Sequence, residues 1–199
     1  MSRFRSCRLR VALALAAVCA ATPAFAHPGH PGHETLGAWA GFTHPFTGLD
    51  HMLAMLAVGL WAAMRGGAAR QTWPATFLAA MAVGFNLHAS SPWILECGVL
   101  ASVILLGALT AANLRTGAWL GRAVAGAAGA LHGMAHAADV GQAAPTFELG
   151  MLTATALLHG AGLGLGLTLA RLGRTDWIRL LGASVAAVGV VGVVLAAAG

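Results

Sequence analysis

The stretch HPFTGLDHMLAMLAVGLW, residues 44–61, decides the fold: its later part is an uncharged apolar run, yet its first eight residues hold two histidines and an aspartate. About 20 mostly apolar residues cross the hydrocarbon core of a bilayer, and they do so as a helix because a helix satisfies its own backbone there. The run reads as a span over 45–64. Working outward, five more such runs lie near 72–89, 92–113, 117–138, 147–170 and 177–198, joined by short connections. The expected fold is all-α, a polytopic membrane protein whose six transmembrane helices form one domain over 44–199. Composition agrees, since 58% of residues are hydrophobic, 9% are charged and lysine is absent, far from the balance of a soluble domain.

Residues 1–26 are of another kind. Arg3, Arg5, Arg8 and Arg10 precede the apolar run VALALAAVCAA, and AFA at 24–26 is a small-x-small cleavage site, the pattern of a signal peptide that leaves His27 first. Cleavage leaves seven arginines against six acids, so the formal charge falls from +5 to +1. The basic balance therefore belongs to the targeting segment and implies no nucleic acid. Cys97 alone of the three cysteines remains, too few for a disulfide within one mature chain. A phosphate-binding P-loop needs a lysine, so no nucleotide partner is expected either.

Orientation follows from the remaining arginines. Arg65 and Arg70 lie in the first connection, Arg115 and Arg122 flank the third, and Arg171, Arg174 and Arg179 surround the fifth. All fall on one side of a six-span chain, which is then the cytoplasmic side of a bacterial inner membrane. Both mature termini are expected in the periplasm.

The histidines sort to the opposite side. His27, His30 and His33 lie in a His-rich N-terminal segment over 27–43, His44 and His51 at the outer end of the first span, and His88 at that of the second. His132 and His136 lie toward the outer end of the fourth, and His159 midway along the fifth. Such sorting suits a route that collects something outside and hands it inward. In HPFTGLDH, Pro45 suits a first helical position because its missing N–H would be unpaired there anyway, with Asp50 and His51 one to two turns inside. A carboxylate at that depth costs at least about 2.5 kcal/mol and needs a partner, a cation or a wet cavity. His132 and His136 stand at i and i+4, on one face and about 6 Å apart along the axis, a spacing that lets two imidazoles hold one ion. Asp139 follows on the next turn, to orient His136 or to ligate. Asn86, His88 and Glu96 form a second outer polar group. Cys97 reads as a packing residue.

Imidazoles with few carboxylates and almost no thiolate suit nickel, cobalt, zinc or copper(II) rather than calcium or magnesium. Small residues four apart, Gly129 with Gly133, Gly160 with Gly164 and Gly162 with Gly166, allow close helix approach. The tryptophans at 39, 61, 73, 93, 119 and 177 read mostly as interfacial belts.

HPFTGLDHMLAM resembles the HPxxGxDHxLAM region of the HupE/UreJ family of nickel permeases, and HGMAHAAD is similar to that family's HGxAHGxE element. GMLTATALLHGAG looks like its fifth-span LH element. The likeness departs at Ala137, where the family tends to have glycine, and at Asp139 in place of glutamate. It implies a secondary permease that takes nickel, or else cobalt, from periplasm to cytoplasm. The ion is bound transiently and no prosthetic group is needed. The ligand candidates are His44, Asp50, His51, His132, His136, Asp139 and His159, with His27, His30, His88 and Glu96 along the approach. A membrane-embedded metal-dependent hydrolase is the alternative, and a membrane metal sensor or donor a further one. The hydrolase needs one fixed metal site and a substrate groove, and the sensor a sizeable soluble region. Ligands spread over several depths and short connections favour the permease, so no enzymatic activity is expected.

Overall fold

The computed structural model describes residues 37–87, 91–114, 116–140 and 145–198, and these are helical with short connections. A short helix α1 (Ala38–Thr43) runs into a single 3-10 turn (His44–Phe46), and six longer helices follow: α2 (Leu49–Arg65), α3 (Ala69–Gly84), α4 (Pro92–Ala112), α5 (Ala118–Val140), α6 (Pro145–Arg171) and α7 (Thr175–Ala198). Each of the six expected runs thus corresponds to one helix. By length and composition, α4, α6 and α7 can cross a membrane, and the bent pair 38–46 with 49–65 adds a fourth if counted as one span. The shortfall in the others has physical causes. The 16 residues of α3 reach about 24 Å at 1.5 Å per residue, less than the roughly 30 Å hydrocarbon core. Arg122, His132, His136 and Asp139 lower the hydropathy of α5.

Two boundaries differ from the sequence reading. The first span does not begin at residue 45: the chain bends by 83° between the α1/3-10 segment and α2, because Gly48 is extended and α2 starts at Leu49. Pro45 is therefore the second residue of the 3-10 turn, and Asp50 falls in the first turn of α2, where the positive end of the helix dipole favours a carboxylate. Residues 38–43, which the sequence places in the N-terminal segment, instead pack as α1 on the start of α6. A Cβ on Gly41 would fall on the Phe147 carbonyl, and one on Gly150 on that of Ala38.

The helices associate chiefly as three close pairs, α2 with α6, α3 with α5, and α4 with α7. Glycine sets each of these approaches. Gly129 and Gly133 lie against the Phe77 and Met81 carbonyls of α3, Gly162 against the Leu56 carbonyl of α2, and Gly107 against Gly182 and Ala186 of α7. Lipid tails give no hydrophobic drive for helix association, so such backbone contact supplies it through packing. Gly160 and Gly164 differ: nothing lies within 4 Å of where their side chains would start, so this pair serves no contact. On α7, Val190, Val191, Val194 and Leu195 are exposed, as on a helix solvated by lipid.

One end of the bundle gathers the arginines. Arg65 Nε donates to the Thr116 carbonyl at 2.9 Å, and Arg179 Nε to the Ala111 carbonyl at 2.9 Å, in the last turn of α4, where helix carbonyls lack intrahelical donors. The tryptophans depart from a simple belt. Trp39, Trp93 and Trp119 are exposed, but Trp61 and Trp73 are buried, their rings 4.1 Å apart. Trp73 Nε1 donates to the Ala118 carbonyl and its indole fills the space beside Gly121, so this pair is core between α2, α3 and α5.

Candidate metal-binding site

The histidines meet at the end opposite the arginines. Two lie on α5 one turn apart, His132 and His136, both buried. From α2, the His51 ring comes within 4.4 Å of that of His136 and 5.0 Å of that of His132, centroid to centroid. From the 3-10 turn, the His44 ring stands edge-on to His136 at 4.9 Å. The bend at Thr47–Gly48 is what lays His44 there, and Phe147 at the start of α6 supports its other side at 5.7 Å. Four imidazoles separated by up to 92 residues in sequence thus form one cluster.

The hydrogen bonds around it fix which nitrogens carry lone pairs. A carbonyl and a carboxylate can only accept. His132 Nδ1 therefore donates to the Ala128 carbonyl at 2.9 Å, and His51 Nδ1 to Asp50 Oδ1 at 2.9 Å. In each neutral ring the lone pair is then left on Nε2. This is how metal-ligating histidines are held, with one nitrogen tied to a carbonyl or carboxylate and the other facing the ion. His132 Nε2 is buried with no hydrogen-bond partner among the described residues.

Deeper in the bundle lies His159 on α6, 2% exposed, with neither ring nitrogen hydrogen-bonded to a described residue. Phe77 of α3 links it to the cluster, its ring 4.9 Å from that of His159 and 5.5 Å from that of His132. Reading inward, the rings follow one another without a gap: His44, His136 with His51, His132, Phe77, His159. Phe85 also faces His136, its ring 6.4 Å away. Nothing in the sequence marks Phe77, Phe85 or Phe147 as members of this set. Their only signal is apolar side chains at helical spacing, which any buried helix face shares.

Not every candidate joins. Glu96, half-buried on α4, makes no hydrogen bond or ion pair with a described residue, and Asn86 turns its amide back to the Ala82 carbonyl. The third member of the second outer polar group, His88, lies outside the described residues. Asp139 lies in the last turn of α5, but its side chain, with His27, His30, His33, His88 and the signal peptide over 1–26, lies outside the described residues. Among the described residues no three His, Cys, Asp or Glu side chains are set as a finished metal site. The arrangement is a close-packed imidazole cluster with one carboxylate, whose rings must part slightly to admit an ion between them. An ion that is passed on is better served by such a cluster than by a rigid cage, since conduction needs binding weak enough to leave.

Apolar helices enclosing histidines and an aspartate make this a helical membrane protein with a polar, imidazole-rich centre. The family model for HupE / UreJ protein matches residues 15–192. Protein HupE of Rhizobium leguminosarum bv. viciae is 35% identical over 175 residues, covering 85% of this chain and 90% of that protein. The chain belongs to the HupE/UreJ family, a transporter-type family linked to nickel and cobalt uptake. No solved structure matches it.

Proposed function

We propose that the chain is a secondary permease that carries a divalent transition metal, nickel first and cobalt next, from the periplasm to the cytoplasm across the bacterial inner membrane. The observation that carries this reading is the pair His51 and His132. They lie on different helices with rings 5.0 Å apart, each with Nδ1 donating to a carbonyl or carboxylate, and the His132 Nε2 is buried with no hydrogen-bond partner among the described residues. His136 and His44 complete the cluster, and Asp50 supplies the negative charge that draws the ion in. Asp139 and the His-rich segment over 27–43 feed the cluster from outside, with His88 on the approach.

All six long helices cross the bilayer in this reading, after removal of residues 1–26. Of the three that fall short alone, α2 and α5 carry His51, His132 and His136 and α3 carries Phe77 packed on His132, and polar groups inside a bundle are tolerated where they face protein rather than lipid. The arginine end then lies in the cytoplasm and both mature termini in the periplasm. The membrane potential suffices as a driving force: at about 2.3 kcal/mol per charge per 100 mV, a divalent ion gains roughly 4.6 kcal/mol moving inward.

The test is accumulation of radioactive nickel by cells expressing the chain, with cobalt, zinc and copper as competitors. Uptake above that of cells lacking the chain, reduced most by cobalt, is expected. Accumulation no greater than in those cells, with the protein present in the membrane, overturns the reading.

A further inference from the structure

The face between α3 and α6 carries a second set of donors. Phe77 and Met81 lie one turn apart on α3, and Thr155 and His159 one turn apart on α6, so each pair shares a helix face. Two contacts lock these faces together: the Phe77 ring stands edge-on to His159, and Thr155 Oγ1 donates to Met81 Sδ at 3.8 Å. All four side chains are buried, Phe77, Met81 and Thr155 at 0% exposure and His159 at 2%. Both nitrogens of His159 are buried without a hydrogen-bond partner among the described residues. A buried polar group left so costs free energy that a leucine of similar size would not, and it asks for an occupant.

We propose that His159, Met81 and Thr155 form a second binding station for the transported ion beside the imidazole cluster, offering an imidazole nitrogen, a thioether sulfur and a hydroxyl oxygen. The identity of the ion rests on the permease reading above; the station itself rests on these three side chains. Its chemistry differs from that of the outer cluster in two ways. It has no carboxylate, so it holds a divalent ion more weakly than the cluster beside Asp50. It has a soft sulfur donor, which together with imidazole favours late first-row ions over magnesium, calcium and manganese, for which oxygen ligands are preferred. The cluster attracts by charge and the second station discriminates by softness. Phe77 touches both His132 and His159 and so borders both stations.

Nickel K-edge X-ray absorption on the purified full-length protein, loaded to saturation with nickel(II), tests the station directly. A sulfur neighbour of the nickel is expected in the wild type and in Met151→Leu, and its loss in Met81→Leu, a swap that keeps side-chain volume and so spares the fold. Met81→Leu should also weaken nickel binding at the second station by about 10-fold, the lower end of what losing one supporting group costs a metal site. No sulfur in the wild type, or sulfur that persists in Met81→Leu, overturns the station. Uptake of radioactive nickel by the same proteins separates the two readings. Nickel bound through sulfur but never moved into cells overturns the permease and leaves the station, while uptake without sulfur ligation does the reverse.

Discussion

Asp50→Asn is the most informative single change, because it removes a charge while keeping a shape. The asparagine side chain is isosteric and its carbonyl oxygen can still accept from His51 Nδ1, now 2.9 Å from Asp50 Oδ1, so the tautomer of His51 is preserved. What disappears is the attraction between the carboxylate and the ion. An ion on His51 Nε2 would lie across the imidazole, about 7 Å from the carboxylate, and at an effective dielectric constant of about 20 a divalent charge there is attracted by roughly 5 kcal/mol. The Asp50 side chain is 33% exposed, so solvent screens a share of that. About half, near 2.7 kcal/mol, corresponds to a 100-fold loss of affinity at about 1.4 kcal/mol per decade. Nickel uptake measured against concentration should show the half-saturating concentration rising about 100-fold, with transport near background at limiting nickel and partly restored in excess. Immunoblotting of membrane fractions should find the protein at wild-type abundance. A half-saturating concentration shifted less than about 3-fold, under 0.7 kcal/mol, would refute the view that Asp50 draws the ion, and would leave it the role of orienting His51.

Three further outcomes are expected. His132→Ala and His136→Ala should each bring nickel uptake to near background at limiting metal, since losing one arm of a two-imidazole chelate loses most of its advantage; replacing both His30 and His33 should matter little at saturating metal and more when metal is scarce. Gly162→Ala should lower the thermal midpoint of the purified protein by roughly 5–10 °C, because its Cβ would fall on the Leu56 carbonyl and overpacking of 1–3 kcal/mol shifts a chain of this size by a few degrees per kcal/mol. Gly164→Ala, facing open space, should leave the midpoint unchanged, and equal effects at the two positions would contradict the helix contact. A reporter fused after Gly199 should be active as alkaline phosphatase and dark as a cytoplasmic fluorescent protein; the reverse pattern would rule out six crossings.

Hydropathy and capping residues determined much of this protein before any tertiary contact was considered. Apolar runs of the right length marked every long helix, because a backbone surrounded by hydrocarbon has few other ways to pair its polar groups. Pro92 opened α4 and Gly66 and Gly67, with φ of 72° and 57°, turned the chain between α2 and α3. The chemical character of the centre was legible too: an aspartate and histidines in so apolar a chain stand out, and the i, i+4 spacing of His132 and His136 put both on one face. The fold alone decided which faces meet. Spacing made Gly160 with Gly164 and Gly162 with Gly166 equivalent, yet only the second pair touches α2. Trp61 and Trp73 read as belt residues and are core, and Phe77, which no motif marked, sits between two histidines. The physical reason is common to all of them. Spacing along a helix fixes which residues share a face, but the rotation of that helix toward its neighbours is set by packing. Where lipid is as apolar as the protein interior, the contrast that reveals a buried face in water is missing. The cluster's four imidazoles come from the 3-10 turn before the 83° bend, from α2 and from α5, about 80 residues further along the chain, and only the packed helices bring the α5 rings within 5 Å of those of His44 and His51.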